Sequence, residues 1–494
     1  MTRVDEGVRA TGKTWLGLVV LLLPALLISM DLSVLFVAGP AITQALQPTA
    51  TQWLWMMDVY GFVLAGMLVT MGSLGDRIGR RRLLLIGAAV FGAASLLTSL
   101  ATEPATLIAA RALLGLGGAT LAPATFALIR EMFRDDAQRR VAIGAWTIAF
   151  SGGAVAGPIV GGLLLAHFWW GAVFLVNVPV MVLLLVAAPL TVPEARATGR
   201  ARFDLAGAAL SLAGVLGVVY GMKHLATDGF GTVAVGALLA GAAGLTGFVL
   251  RQRRAAHPLI DMSLFRDPAF GGAVTANAVV SFATAGLGLL AFTFMQTVHG
   301  ATPLEAALWA LPTFAGTILG AVAAGAVTDR LPAAVPVPAG MVIAALGFAA
   351  IATITPEAPV WRLVAGYTLL AVGIGVTGTV ANSVVLTSAP ADRAGAASGV
   401  SETSTELGAA LGIAVLGTVA TGVYTGRMTG HDGAGTVAEA VATAETLPGR
   451  AADTLRDAAF AAYTSGVTTA AATGAVLVVA LAVLVTVLMR RSRR

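Results

Sequence analysis

A chain of 494 residues that is 57% hydrophobic, 11% charged and without cysteine, carrying a formal charge of +5, is not a soluble globule, whose charged share is about 25%. The missing cysteines exclude disulfides and thiol chemistry. Its basic residues are scattered through short gaps and two tails rather than gathered in one patch, which excludes nucleic acid as a partner and points to topology signals at a lipid bilayer.

The apolar runs reach the roughly 20 residues that a helical span needs, and the period-two alternation of a membrane barrel is missing from them. They fall near 15–37, 52–74, 83–101, 105–128, 141–164, 170–190, 205–223, 231–250, 270–295, 303–325, 336–354, 361–385, 396–420 and 461–489. The expected fold class is therefore an all-α integral membrane protein with fourteen transmembrane helices. Arg77, Arg80, Arg81 and Arg82 follow the second run, Arg130, Arg134, Arg139 and Arg140 the fourth, and Arg251, Arg253 and Arg254 the eighth. Basic loops stay in the cytoplasm. Both termini are expected there, in a multi-pass protein of the cell (inner or plasma) membrane. The first run is longer than the roughly 7–15 residues of a signal-peptide core, so it reads as retained.

The expected organisation is a cytoplasmic N-terminus (1–14), a six-helix bundle (15–190), a linker with an inserted helix pair, spans seven and eight (191–267), a second six-helix bundle (268–489) and a basic tail (490–494). GSLGDRIGRRR at 72–82 is echoed by GAVTDRL at 325–331, as internal duplication would produce. The outer loop at 421–460 is rich in Gly, Ala and acids. It reads as a solvated tether; a lid over the outer mouth is the alternative.

In GSLGDRIGRRR, Gly72 and Gly75 allow close backbone approach at a tight cytoplasmic turn. Asp76 can oppose a helix N-terminus, and Arg77, Arg80 and Arg81 can pair with acids across a closing interface. Gly79 belongs to the same candidate gate motif, for which the plainer reading is a topology anchor and a turn. The pattern resembles the loop signature of the major facilitator superfamily. LIAARALLGLGGA at 107–119 resembles that family's fourth-helix motif, with Arg111 in the arginine position. GAVAGPIVGG at 153–162 is similar to its antiporter fifth-helix motif. Gly153, Gly157 and Gly161 recur there every four residues as a flat packing face, and Pro158 removes an amide donor. WWGAVFLVNVP at 169–179 resembles a further family stretch, with Trp170 where an arginine is usual.

The closest match is the fourteen-helix drug:proton antiporters. It implies two six-helix bundles, lipophilic cationic substrates such as quaternary ammonium compounds, protons as the coupling ion, and no cofactor or metal. A monomer is expected. The first-helix stretch MDLSVLFVAGP at 30–40 keeps the family's Asp31 and Pro40 but has Phe36 for a polar Asn and Gly39 for Leu. Thr317 stands where some relatives carry an acid.

Ionisable groups inside apolar spans are expensive and need an account. At 1.5 Å per residue, Asp31 lies about 24 Å from the cytoplasmic face, and Asp58 and Arg111 about 9 Å below the outer one, so the three share one depth. Glu406 lies near the midplane, with Glu402 one turn lower. A carboxyl that burial pushes towards neutrality and an arginine pulls towards charge can exchange a proton for a cation. Asp31 is the first candidate for that coupling, modulated by Arg111; Glu406 and Asp58 are candidates for recognising drug charge or a second proton. A static Asp31–Arg111 pair is the alternative, and interfacial positions are the alternatives for Glu402 and Asp58. Trp146, Phe150 and Tyr60 can line a cavity with cation–π surface, or simply pack.

GVRATGKT at 7–14 matches a phosphate-loop pattern without the strand that such a loop needs, and is set aside. A metal-dependent intramembrane enzyme lacks suitably placed histidines, while an aspartyl-type enzyme built on Asp31 and Asp58 is a distant alternative. The reading is a proton-coupled exporter of lipophilic cations working by alternating access. A narrow exporter of one antibiotic or metabolite is the runner-up.

Overall fold

The structure, a computed structural model, describes residues 10–194, 204–228, 231–254, 264–328, 330–388, 394–430 and 435–491. Among these residues the chain is helical, with no strand. Helices α1 (Gly12–Leu46), α2 (Ala50–Ile78), α3 (Arg80–Ser99), α4 (Pro104–Met132), α5 (Asp136–His167), α6 (Ala172–Leu175) and α7 (Asn177–Thr191) pack around one apolar core. Helices α8 (Leu205–Asp228) and α9 (Thr232–Arg254) form an antiparallel pair. A second core joins α10 (Pro268–Thr293), α11 (Pro303–Trp309), α12 (Leu311–Thr328), α13 (Pro336–Ile351), α14 (Val360–Ser388), α15 (Ala394–Arg427) and α17 (Arg450–Arg491). The short α16 (Val437–Thr446) completes the set.

Among the described residues eleven helical stretches are long and apolar enough to cross a membrane. Helices α2, α8 and α13 stand where the other three expected spans fall, so the count of fourteen stays an expectation. Large apolar side chains face outward, such as Ile148 (74% exposed), Val476 (69%) and Leu239 (66%). Hydrocarbon is the solvent that suits them.

Local chemistry sets the breaks. Thr49 and Gln52 form a capping box that starts α2, and Thr302 and Glu305 do the same for α11. Pro312 lacks an amide hydrogen and disfavours helical geometry at Leu311, so the expected tenth span divides into α11 and α12. A single residue, Gly79, joins α2 to α3 at φ 109°, a conformation that side-chain-bearing residues avoid. Gly12, Lys13 and Thr14 form the first turn of α1, where Thr14 N donates to Thr11 Oγ1.

The α8–α9 pair is latched at its base. Asp204 Oδ1 accepts from Arg251 Nε at 2.6 Å and from Gly207 N at 2.9 Å, and Oδ2 accepts from Gln252 at 3.3 Å. Burial pushes this carboxyl up, but the Gly207 amide and the Arg251 guanidinium outweigh it and hold it below its ordinary value. A lowered carboxyl stabilises the fold above its unfolded pKa of about 4, and that contribution is lost as pH falls through the lower folded value. Amide exchange at the start of α8, corrected for intrinsic rates, should be flat from about pH 8 to 5 and accelerate below about 4. Unchanged protection under acid would show that the latch does not hold the hairpin.

Contacts between the two large groups gather towards the outer ends. Phe36 of α1 stacks on Phe292 of α10 at 6.2 Å. A Cβ on Gly162 of α5 would stand 2.8 Å from Leu304 Cα of α11. Helices α2 and α15 pair antiparallel: a Cβ on Gly417 would stand 2.9 Å from Leu54, and one on Gly61 would stand 3.3 Å from Ala410. Further along, α2 meets α8 instead, where Gly66 abuts Leu212. Phe62, Val215, Ala410 and Ala414 form a small core there, so the hairpin touches both groups.

The outer segment 421–460 departs from a solvated tether. Helix α15 runs on to Arg427, α16 is capped by Thr436, and α17 begins at Arg450. Tyr424, Met428, Val437, Ala440, Ala444, Leu455, Ala459 and Ala462 are buried together. Alanine-rich sequence with a capping threonine favours helix, and the apolar stripe needs cover.

Candidate functional site

The glycine face on α5 positions the site. A Cβ on Gly157 would stand 2.8 Å from Met30 O and would also meet Ser33 Oγ; one on Gly153 would meet the Leu26 carbonyl, and Gly161 lies against Val34. Backbone contact therefore fixes α1 to α5. Pro158 sits inside the helix without breaking it. Glycines on α15 make the matching contact in the other group, with Gly408 against Ala278 O and Gly412 against Phe282 O of α10.

With α1 so placed, Asp31 (1% exposed) meets Arg111 of α4 (0% exposed) in the interior of the first group. Arg111 Nη1 donates to Asp31 Oδ2 at 2.9 Å, and Arg111 Nε donates to Met56 O of α2 at 2.9 Å. Asn177 of α7 donates to Asp31 Oδ1 at 3.4 Å and to Ser95 Oγ of α3 at 3.2 Å. The guanidinium lies 4.9 Å from the Tyr60 ring centroid, an arrangement that stabilises a desolvated cation. Arg111 Nη2 and Asn177 Oδ1 are buried and make no hydrogen bond. Five helices thus contribute to one polar knot in an apolar core.

Tyr60, a candidate for cavity lining or for simple packing, is fully buried beneath Arg111, with its hydroxyl directed at Ile28 O (3.5 Å). Depth along a span is legible in sequence, but the direction around the helix axis is not. Asp58 (1% exposed) lies between Met56 and Tyr60 on the same turn of α2, and Glu406 (4% exposed) lies on α15. Taking the Gly61–Ala410 contact as register and 1.5 Å per residue, Asp58 and Glu406 stand roughly 10 Å apart along the helix axes. Trp146 and Phe150, both half-buried on α5, stack at 5.4 Å, and Trp146 Nε1 donates to Thr125 Oγ1 at 3.2 Å.

The cytoplasmic motif fastens elements within its own group. Gly72 faces Pro123 of α4 and Gly75 faces Leu83. Arg77 is exposed at the end of α2, and Arg80 donates to Ala127 O of α4 at 3.4 Å. Arg81 donates to Val192 O at 3.0 Å and pairs with Glu194 at 3.8 Å, while Glu194 also accepts from the Arg81 amide. The acid that meets Arg81 is thus on the segment after α7, not across the interface between groups. The side chains of Asp76 and Glu402 lie outside the described ones.

Asn177 and Ser95 are the residues that sequence reasoning did not single out. Asn177 stands in a quoted motif, and Ser95 offered only a small polar residue in an apolar run. Asp31 engages Arg111, and an arginine on one carboxylate removes the shared proton that an aspartyl-type enzyme requires.

Ionisable groups buried inside a bundle of membrane-spanning helices are expensive and commonly mark a transport pathway. The Major Facilitator Superfamily model matches residues 21–413, and the chain belongs to that superfamily: it is a multi-pass membrane transporter, not an enzyme. It is 41% identical to the multidrug efflux pump LfrA of Mycolicibacterium smegmatis, over 99% of this chain and 100% of that protein. It is 34% identical to the methyl viologen resistance protein SmvA of Salmonella typhimurium over 82% of each. The tetracenomycin C resistance and export protein of Streptomyces glaucescens is 32% identical, over 96% of this chain and 91% of that one. Among solved structures, a bacterial homologue of the human lysosomal transporter Spinster, inward-facing and unoccupied, superposes with a TM-score of 0.68 at 18% identity over 98% of both chains.

Proposed function

We propose that this chain exports lipophilic cationic drugs in exchange for protons, by alternating access of two six-helix bundles with an inserted helix pair and fourteen spans in all. The observation that carries the reading is the tie between charge and scaffold. Arg111 holds the Asp31 carboxylate with one nitrogen and the Met56 carbonyl with another. Met56 lies on α2, whose neighbouring turns pack on α15. Protonating Asp31 removes the counter-charge of Arg111, which then pulls differently on α2, and the α2–α15 contact is one of those that join the two groups. Proton occupancy thereby biases one of two arrangements of the bundles, as a coupled carrier needs. Glu406, on the other side of that contact, supplies charge for a cationic cargo, with Asp58 as its partner from the first bundle.

Ethidium efflux from energised cells tests the reading. Glu406→Gln should cut ethidium export at least tenfold while a neutral dye is exported nearly as before, since an unpaired cation in a low-dielectric site is strongly disfavoured. Equal loss for charged and neutral cargo would remove Glu406 from cation recognition. The named export of tetracenomycin C by one relative favours the narrower reading. A panel of cations, polyketide quinones and neutral dyes separates the two: export of a single compound would establish the narrow exporter.

A further inference from the structure

Outside the buried knot, a cavity with ≈ 700 Å³ of space, its open mouth included, lies at the outer ends of the helices. Both groups build it: Trp53 comes from α2, Tyr424 and Tyr463 from α15 and α17, and the start of α16 lies over it at Thr436–Ala438. Tyr424 is 3% exposed, and its hydroxyl is buried with no hydrogen bond, so the cavity wall carries a donor with nothing to donate to. A buried hydroxyl in that condition is costly unless something else meets it. Tyr424 and Tyr463 stand edge to face at 6.5 Å. At the rim, the Gly435 amide donates to Glu439 Oε2 at 2.9 Å, which places a carboxylate beside the mouth.

We infer that this outer cavity is a second ligand site, open to the exterior, that takes flat aromatic cations. Aromatic rings from both groups, Trp53 and the Tyr424–Tyr463 pair, line the cavity and can receive a flat ring system. The rim carboxylate and the ring faces favour positive charge. Its walls come from both groups, so the site exists only while their outer ends are together. A ligand that binds one of two states shifts the population towards it. An external aromatic cation therefore holds the carrier shut on the outside and inhibits export. This goes beyond the proposed export, which concerns cargo reaching the protein from the cytoplasm.

The chain has no cysteine, so single-cysteine variants report cleanly. Ala438→Cys on α16 and Thr421→Cys on α15 both border the cavity. They are labelled in intact, de-energised cells with a membrane-impermeant maleimide, with and without propidium, an impermeant aromatic dication. Propidium is expected to slow labelling at both positions at least fivefold. Tyr424→Ala should raise the half-protecting concentration about tenfold or more through the lost ring, whereas Tyr424→Phe, which keeps the ring, should change it less than about twofold because propidium offers no hydrogen-bond acceptor. Ethidium export by Tyr424→Ala should persist while its inhibition by external propidium weakens. Labelling unaffected by propidium at both positions would overturn the inference, and so would absence of labelling at both without propidium. Ethidium export is followed in the same cells after they are re-energised: export without protection defeats only the outer site, whereas absence of export defeats the proposed function.

Discussion

Asp31→Asn should abolish uphill efflux while leaving the protein folded in the membrane. Asparagine keeps the shape of the side chain and an oxygen for Arg111 Nη1, which now sits 2.9 Å from Asp31 Oδ2. What it removes is the titration. The expected result is an ethidium gradient no greater than in cells lacking the protein, a loss of at least about 100-fold in rate, or about 2.7 kcal/mol of coupling. Downhill ethidium movement should survive. Arg111→Met is the harsher change. It leaves a buried carboxylate unpaired, at a cost of about 3–5 kcal/mol, and frees the Met56 carbonyl. The double variant Asp31→Asn/Arg111→Met should therefore be better folded than Arg111→Met alone, yet equally unable to pump. Normal uphill efflux by Asp31→Asn would leave the pair as static scaffolding.

The second large effect is expected from Gly157→Leu. A Cβ there would stand 2.8 Å from Met30 O and meet Ser33 Oγ, both backbone-anchored, so α1 must move away from α5. Overpacking of a tight interface costs about 1–3 kcal/mol or more. Here it also displaces Asp31, the residue after Met30. Transport should vanish, and the detergent-extracted protein should lose heat stability. Gly144→Leu on the same helix is the control, because a Cβ at Gly144 meets nothing within 4 Å. It should be extracted as well as the parent chain. Equal tolerance of both substitutions would show that α1 and α5 are not held by that glycine face.

The meeting of Asp31 and Arg111 was legible because a bilayer reduces position to one coordinate. Rise per residue fixes depth, and unlike charges at one depth in hydrocarbon have strong reason to find each other. Direction around each axis is set by packing, which is why the sequence leaves Tyr60 open between cavity wall and packing, while the fold puts it under Arg111. The same limit hides Ser95, one small hydroxyl among many, and the turn of Asn177 towards Asp31. Arg81 illustrates a second limit: its acid, Glu194, lies more than a hundred residues away on a connecting segment. The outer segment did carry a readable signal, since Thr436 followed by Glu439 three residues later is the pattern of a helix start. So did Gly408 and Gly412, spaced four apart on α15 as Gly153 and Gly157 are on α5.

Tying cargo to protons through Asp31 is the centre of this account, and proton release measures it most directly. Purified carrier in lightly buffered detergent solution, with a pH-indicator dye, receives ethidium at a pH where the coupling carboxyl is part-protonated. The account predicts acidification proportional to the carrier present, and none from Asp31→Asn even though ethidium still binds. Ethidium binding without proton release by the parent chain, or equal release by Asp31→Asn, would contradict it.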